Sequence, residues 1–162
     1  MIILGIDPGL ATVGYGVIDK TADGLKALDY GVVSTPADEP VPVRLAMIAE
    51  GVEKLIKTHK PDCVVVEELF FNTNITTAIK VAEARGVILY RAVLECCKLF
   101  EYTPLQIKKA LTGSGRAEKK QIQFMVRAIL KLTSVPKPDD AADALAVAIC
   151  HAHTSEHGQR LA

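Results

Sequence analysis

Ile2-Ile3-Leu4-Gly5-Ile6-Asp7-Pro8-Gly9 is the stretch on which the reading of the fold turns. A short run of branched apolar residues is the pattern of a buried strand, and Pro8-Gly9 then turns the chain. The strand therefore stops with the Asp7 carboxylate at a sheet edge, although an Asp before Pro-Gly also suits a plain turn role, bonding to turn backbone. Thr12–Ile18 and Leu28–Ser34 carry β-branched or aromatic residues near a period of two, with a turn over Lys20–Gly24 between them. Ile2–Ser34 reads as three antiparallel strands.

Downstream, Thr35–Pro42 holds Pro36, Pro40 and Pro42 and reads as a loop. Leu45, Ile48, Val52, Leu55 and Ile56 then follow helical spacing until Lys60-Pro61 stops the helix. Cys63–Val66 is a continuous branched run, the pattern of a strand buried on both faces, and it ends at Glu67-Glu68. Alternation sends one of these two acids to each face, and the residues alone do not choose between them. Asn72–Asn74 offer caps for a long helix running to about Cys97. Its apolar residues Ile79, Val81, Val87, Ile88, Leu89, Val93 and Leu94 wrap more than one face, so it has a side for the sheet and a side for a second subunit. Leu99–Tyr102 reads as a fifth strand, Pro104–Leu111 as a short helix, Thr112–Gly115 as a loop and Ala117–Leu132 as an amphipathic helix. Pro136 and Pro138 break the chain, and Asp139 begins an Ala-rich last helix reaching Ala148. Residues 1–154 are expected to form one domain and 155–162 a flexible tail, fraying from Thr154. This order predicts an α/β fold of the RNase H-like kind, a mixed five-stranded sheet flanked by helices on both faces.

The chain has 162 residues, 49% hydrophobic and 23% charged, an ordinary globular composition able to bury a core. No basic segment precedes the first strand as in a signal peptide, and Arg91 interrupts the apolar stretch Val87–Leu94, so no membrane span is expected and the cytoplasm is the expected compartment. Cys63, Cys96, Cys97 and Cys150 include no C-x-x-C pair and read as reduced, buried thiols. The net charge of +0 hides an uneven distribution: Lys98–Lys137 carries nine Lys or Arg against Glu101 and Glu118, between two acidic ends. Any one of these cations suits a solvated helix face, but together they predict a surface for phosphates, with clustered acids elsewhere for metal ions.

Asp140 and Asp143, spaced i, i+3, share a helix face, and this topology can bring them to the end of the sheet where Asp7 and one of the Glu67-Glu68 pair arrive. Four acids together repel unless cations are present, and all-oxygen donors select hard ones, Mg²⁺ with Mn²⁺ as a substitute. Two such ions about 4 Å apart suit in-line displacement at a phosphodiester, one serving the attacking water and one the leaving 3′-oxygen. Asp139 reads as a helix N-cap outside this set.

Four strings, Ile3-Leu-Gly-Ile-Asp7-Pro-Gly9, Val66-Glu67-Glu68-Leu-Phe70, Arg116-Ala-Glu-Lys119-Lys120-Gln121 and Asp140-Ala-Ala-Asp143-Ala-Leu-Ala, resemble in order and spacing the RuvC-type crossover junction endodeoxyribonucleases. The resemblance runs from the first strand to about His153. It implies Asp7, Glu67, Asp140 and Asp143 as the metal-binding tetrad, with Glu67 chosen over Glu68, and a homodimer that cuts two strands of a four-way (Holliday) junction at symmetric positions. It also implies Lys119 at the scissile phosphate, Phe70 as a DNA-contacting aromatic, and the branch-migration proteins RuvA and RuvB as partners. Lys108 could act as Lys119 does, while Lys109, Arg116 and Lys120 suit flanking phosphates. Core packing of both Phe70 and Phe71 is the alternative to that role. His151, His153 and His157 sit near the expected frayed end, where solvated or capping roles suit them better than metal ligation. Rival readings are a ribosomal-RNA-processing nuclease of the same fold and a junction-binding module without catalysis.

Overall fold

The computed structural model describes residues 1–69, 75–95, 97–154 and 159–160. Strands β1 (Ile2–Asp7), β2 (Thr12–Thr21) and β3 (Gly24–Ser34) form the expected meander, followed by α1 (Val41–His59), β4 (Cys63–Glu67) and α2 (Ile75–Leu94). The chain continues through β5 (Lys98–Tyr102), α3 (Pro104–Thr112), α4 (Lys119–Ile129), α5 (Asp139–Thr154) and the two-residue β6 (Gln159–Arg160). The sheet order is β3-β2-β1-β4-β5-β6, with β4 parallel to β1 and β5 and the remaining pairs antiparallel. The expected five strands are present. The sixth comes from the tail expected to fray, where Gln159 and Arg160 pair with Glu101 and Phe100.

Alternation along β1 and β4 divides the core in two. Leu4, Ile6, Val64 and Val66 face α1 and α2, packing with Ile48, Val52, Ala84 and Ile88. Ile3, Cys63 and Val65 face the other way, with the residues of α3, α4 and α5. Complete burial of four successive residues in β4, Cys63–Val66, follows from cover on both sides.

Helix α5 lies closest to the sheet, and glycines in the strands beneath it make room. A Cβ on Gly5 would fall 2.3 Å from the Ala144 carbonyl oxygen, and one on Gly14 2.1 Å from the Asp140 carbonyl oxygen. Backbone meets backbone at both points, so no side-chain rotation relieves the clash. Gly14 is also the register partner of Asp7, so this contact sets Asp140 over the end of β1.

Several element boundaries differ from expectation. Helix α1 begins at Val41, inside the expected loop, because Pro42 falls in its first turn, where the missing N–H has no intrahelical acceptor to lose. Helix α2 ends at Leu94 and α4 spans only Lys119–Ile129, opened by a capping box between Glu118 and Gln121. Helix α5 runs past Ala148 to Thr154, since Ile149, Cys150 and Ala152 are all buried. His151 is therefore no solvated tail residue: it is 2% exposed, its Nδ1 lies 2.9 Å from the Tyr102 hydroxyl, and burial holds its pKa down at about 4. His153 is exposed, with Nδ1 3.3 Å from the Ala110 carbonyl oxygen, and His157 lies outside the described residues. Cys63 and Cys150 are buried free thiols and Cys97 a half-buried one, while Cys96 lies outside the described residues. Among the described residues no helix is long and apolar enough to cross a membrane.

Candidate active site

Asp7 ends β1 and Glu67 ends β4, and the parallel register that pairs Ile6 with Val66 sets the two carboxylates side by side. Parity decides which glutamate belongs here. Counting by twos from Cys63 and Val65, both on the α5 side, Glu67 falls on that same face, as Asp7 does from Ile3 and Gly5. Glu68 takes the other parity; its backbone N–H donates to the Tyr102 carbonyl oxygen (2.9 Å), and it lines an adjoining hollow that Asp7 and Glu67 also border, with Pro8, Leu69 and Val81.

A cleft of about 250 Å³ opens over these strand ends, lined by Asp7, Glu67, Asp143, Lys108 and Lys119 on an apolar frame of Pro104, Ile107, Ile122 and Ala146. The Lys119 ammonium donates to Asp143 Oδ2 at 2.8 Å and stands 3.6 Å from Asp139 Oδ2. Asp139 is the first residue of α5, not its N-cap, and its carboxylate lies between Lys119 and Lys137, whose Nζ is 2.7 Å away. Asp140 does not line the cleft, but its charge acts on Asp7 from the turn packed on Gly14.

Burial, then the charges of Glu67, Asp143 and Asp140, push the Asp7 carboxyl up to about 8 against the pull of Lys119. Burial and Asp143 push Glu67 up to about 7, against Lys108 and Lys119. The hydrogen bond to Asp143 raises Lys119 further above its ordinary value, so it stays charged. Among the described residues no three of His, Cys, Asp and Glu already stand as a complete ligand set. The donors nonetheless fit a divalent cation: they are all oxygen, anionic and crowded, and two of them tend to hold protons at neutral pH where nothing else offsets their charge.

The structure thus brings Asp7, Glu67, Asp143, Lys119 and Lys108 into one cleft and Asp140 beside it. Lys109, Arg116 and Lys120 stay exposed outside it. Phe70 and Phe71 lie outside the described residues. Sequence reasoning did not find the apolar frame or the bridging place of Asp139; Ile107 and Ile122 carry helical spacing, but nothing in that spacing says that they border a site.

An RNase H-like sheet with acids at adjoining parallel strand ends and on the helix across them defines a class of metal-dependent phosphoryl-transfer enzymes. A family profile described as crossover junction endodeoxyribonuclease RuvC matches residues 3–151. The chain is 56% identical over 154 residues to the RuvC of Alkaliphilus oremlandii, covering 95% of this chain and 94% of that one. It is also 56% identical to that of Desulfitobacterium hafniense, covering 95% and 93%. The solved structure of Thermus thermophilus RuvC in complex with a Holliday junction substrate superposes with a TM-score of 0.94 at 37% identity, covering 99% of each chain. The yeast mitochondrial resolvase Ydc2, 12% identical, shares the fold (TM-score 0.67) over 93% of this chain and 78% of its own. The chain belongs to the RuvC family of crossover junction endodeoxyribonucleases.

Proposed function

We propose that this protein is a divalent-cation-dependent endonuclease that resolves four-way DNA junctions by paired symmetric nicks in recombination and repair. The observation that carries the reading is the cleft at the β1 and β4 ends, where Asp7, Glu67 and Asp143 face two lysines. The T. thermophilus relative bound to a Holliday junction supports the substrate. RuvC-family nucleases are metal-dependent, and Asp7, Glu67, Asp140 and Asp143 would hold Mg²⁺, or Mn²⁺ in its place. Bound there, the cations supply an activated water and charge neutralisation at the phosphate. Around them, the Lys119 ammonium, anchored by Asp143, offsets negative charge at the scissile phosphate, and Lys108 approaches from α3. Ile107, Ile122 and Pro104 form the apolar frame on which these charged groups stand. The P–O3′ bond breaks as water oxygen bonds to phosphorus, leaving a 3′-hydroxyl and a 5′-phosphate. Lys119→Met is expected to slow cutting of bound junction about 10²-fold; single-turnover rates at saturating enzyme check it.

Paired cutting needs two sites related by a two-fold axis, matching the approximate symmetry of the junction. Helix α2 offers the surface: Ile79 (54% exposed), Tyr90 (63%), Val93 (50%) and Leu94 (50%) lie along its outward side. Such a stripe on a 20-residue helix suits a second copy of the chain. Tyr90→Glu is expected to bring the sedimentation mass down to the 17.4 kDa of one chain and to uncouple the two nicks. Lys109, Arg116 and Lys120 grip phosphates beyond the cleft, so binding weakens steeply with salt. The same reading makes residues 1–154 one nuclease domain, places the protein in the cytoplasm, and makes RuvA and RuvB its partners.

The test is incubation with a synthetic four-way junction and a linear duplex of the same sequence, with and without Mg²⁺. Paired nicks at symmetric positions in the junction alone are expected. Binding without cutting across several junction sequences in both Mg²⁺ and Mn²⁺ would leave only a structure-selective binder.

A further inference from the structure

A second concavity, about 600 Å³ in volume and larger than the active cleft, lies on the other side of α4. Gly113, in the left-handed region (φ 75°), ends α3, and the capping box at Glu118 starts α4, so a short turn separates the two helices beside the groove. Arg116, Lys120, Thr112 and Gln121 supply the polar lining, and Phe124 forms an apolar wall. Among the described residues no carboxylate lines it. Phe124 is 55% exposed although it belongs to the amphipathic helix that packs Ile122 and Val126 in the core. The Arg127 guanidinium lies 5.5 Å from its ring centroid. An aromatic ring with Arg116, Lys120 and Arg127 around it has the chemistry of a nucleotide site: ring for base, cations for phosphates.

Position ties this groove to the cleft. Lys119 and Lys120 are consecutive at the start of α4 and point about 100° apart. Lys119 reaches into the cleft to Asp143, while Lys120 lines the groove. The first turn of α4 is therefore a ridge with the candidate active site on one flank and the groove on the other. A DNA strand crossing the ridge meets one lysine on each side.

We propose that the α3–α4 groove is a nucleotide subsite of the junction, stacking one base on Phe124 and holding the adjoining phosphates with Arg116 and Lys120. This rests on the junction-cutting reading and adds where the DNA flanking the cut is held. Basic lining around an aromatic favours nucleic acid over an acidic peptide, because stacking uses the exposed ring as well as the charge.

The chain contains no tryptophan, so Phe124→Trp places a lone indole reporter in the groove. Titration with a four-way junction in metal-free buffer is expected to quench its emission in step with binding measured by anisotropy of the labelled junction. Phe124→Ala, checked for folding by circular dichroism, is expected to weaken junction binding about tenfold without changing its salt dependence. Arg116→Ala with Lys120→Ala is expected to make the slope of log K against log salt shallower by about two. Unchanged emission with full junction affinity, together with full affinity of Phe124→Ala, overturns the subsite and leaves junction cutting standing, including where an acidic peptide or a second copy of the chain quenches the indole instead. Failure of the wild-type protein to bind any junction overturns both readings.

Discussion

Asp7→Asn is expected to lower the rate of junction cutting by about 10³-fold or more, the several kcal/mol that cation chemistry supplies at a phosphodiester, while junction binding persists. The same change is expected to raise the melting temperature of the metal-free protein at pH 8. Asp7 is a buried carboxylate pushed up to about 8 by burial and by Glu67, Asp143 and Asp140, so its ionised form is held against both desolvation and repulsion. An amide of nearly the same shape removes the charge. A gain in stability with a loss of activity is the signature of a group strained for chemistry. Single-turnover cutting and thermal melting of the two proteins check the pair of outcomes; a variant that loses stability and activity together would make Asp7 a structural turn residue.

Gly14→Ala is expected to cost about 3 kcal/mol or more, lowering the melting temperature by roughly 6–12 °C, and to reduce cutting at temperatures where the variant is still folded. The added Cβ would sit 2.1 Å from the Asp140 carbonyl oxygen, so strand or helix must shift. Because Gly14 pairs with Asp7, that shift separates Asp140 from the β1 carboxylate. Gly24→Ala is the contrast: nothing lies within 4 Å of its Cβ, and its cost comes only from a φ of 121°. Melting curves together with cutting rates separate a lost contact from a displaced site.

Sequence pattern revealed the strands that carry Asp7 and Glu67 because each is a short apolar run closed by an acid. It revealed the i, i+3 pair on α5 because helical spacing depends on residue order alone. What it left open depended on contacts between elements. The choice of Glu67 over Glu68 turns on which sheet face α5 covers, and that appears only when Cys63 and Val65 are seen packing with Leu145 and Ile149. The burial of His151 is not legible in the sequence because the segment after Ala148 carries no periodic signal; its neighbours Phe100 and Tyr102 come from β5, about fifty residues earlier. Asp139 has N-cap chemistry, but Lys119 and Lys137 claim its carboxylate. The start of α1 was hidden by proline, which reads as a breaker everywhere except in a helix's first turn. A two-residue strand such as β6 is too short to show any pattern.

If Asp7, Glu67, Asp140 and Asp143 hold a divalent cation, the metal-free protein carries carboxylates held against burial and mutual repulsion that Lys119 offsets only in part, and the most direct test is the melting temperature across pH 5–9 with and without Mn²⁺. Asp7 and Glu67 have folded-state pKa values of about 8 and about 7, above their ordinary 3.8 and 4.5. Between those limits the folded state binds more protons than the unfolded one, so stability falls as pH rises from about 4 to about 8. The expected result is a metal-free melting temperature that declines through neutrality, a rise on adding Mn²⁺ that grows with pH, and a weaker response of both kinds in Asp7→Asn. A melting temperature that Mn²⁺ leaves unchanged at pH 8, in the wild-type protein and in Asp7→Asn alike, would contradict it.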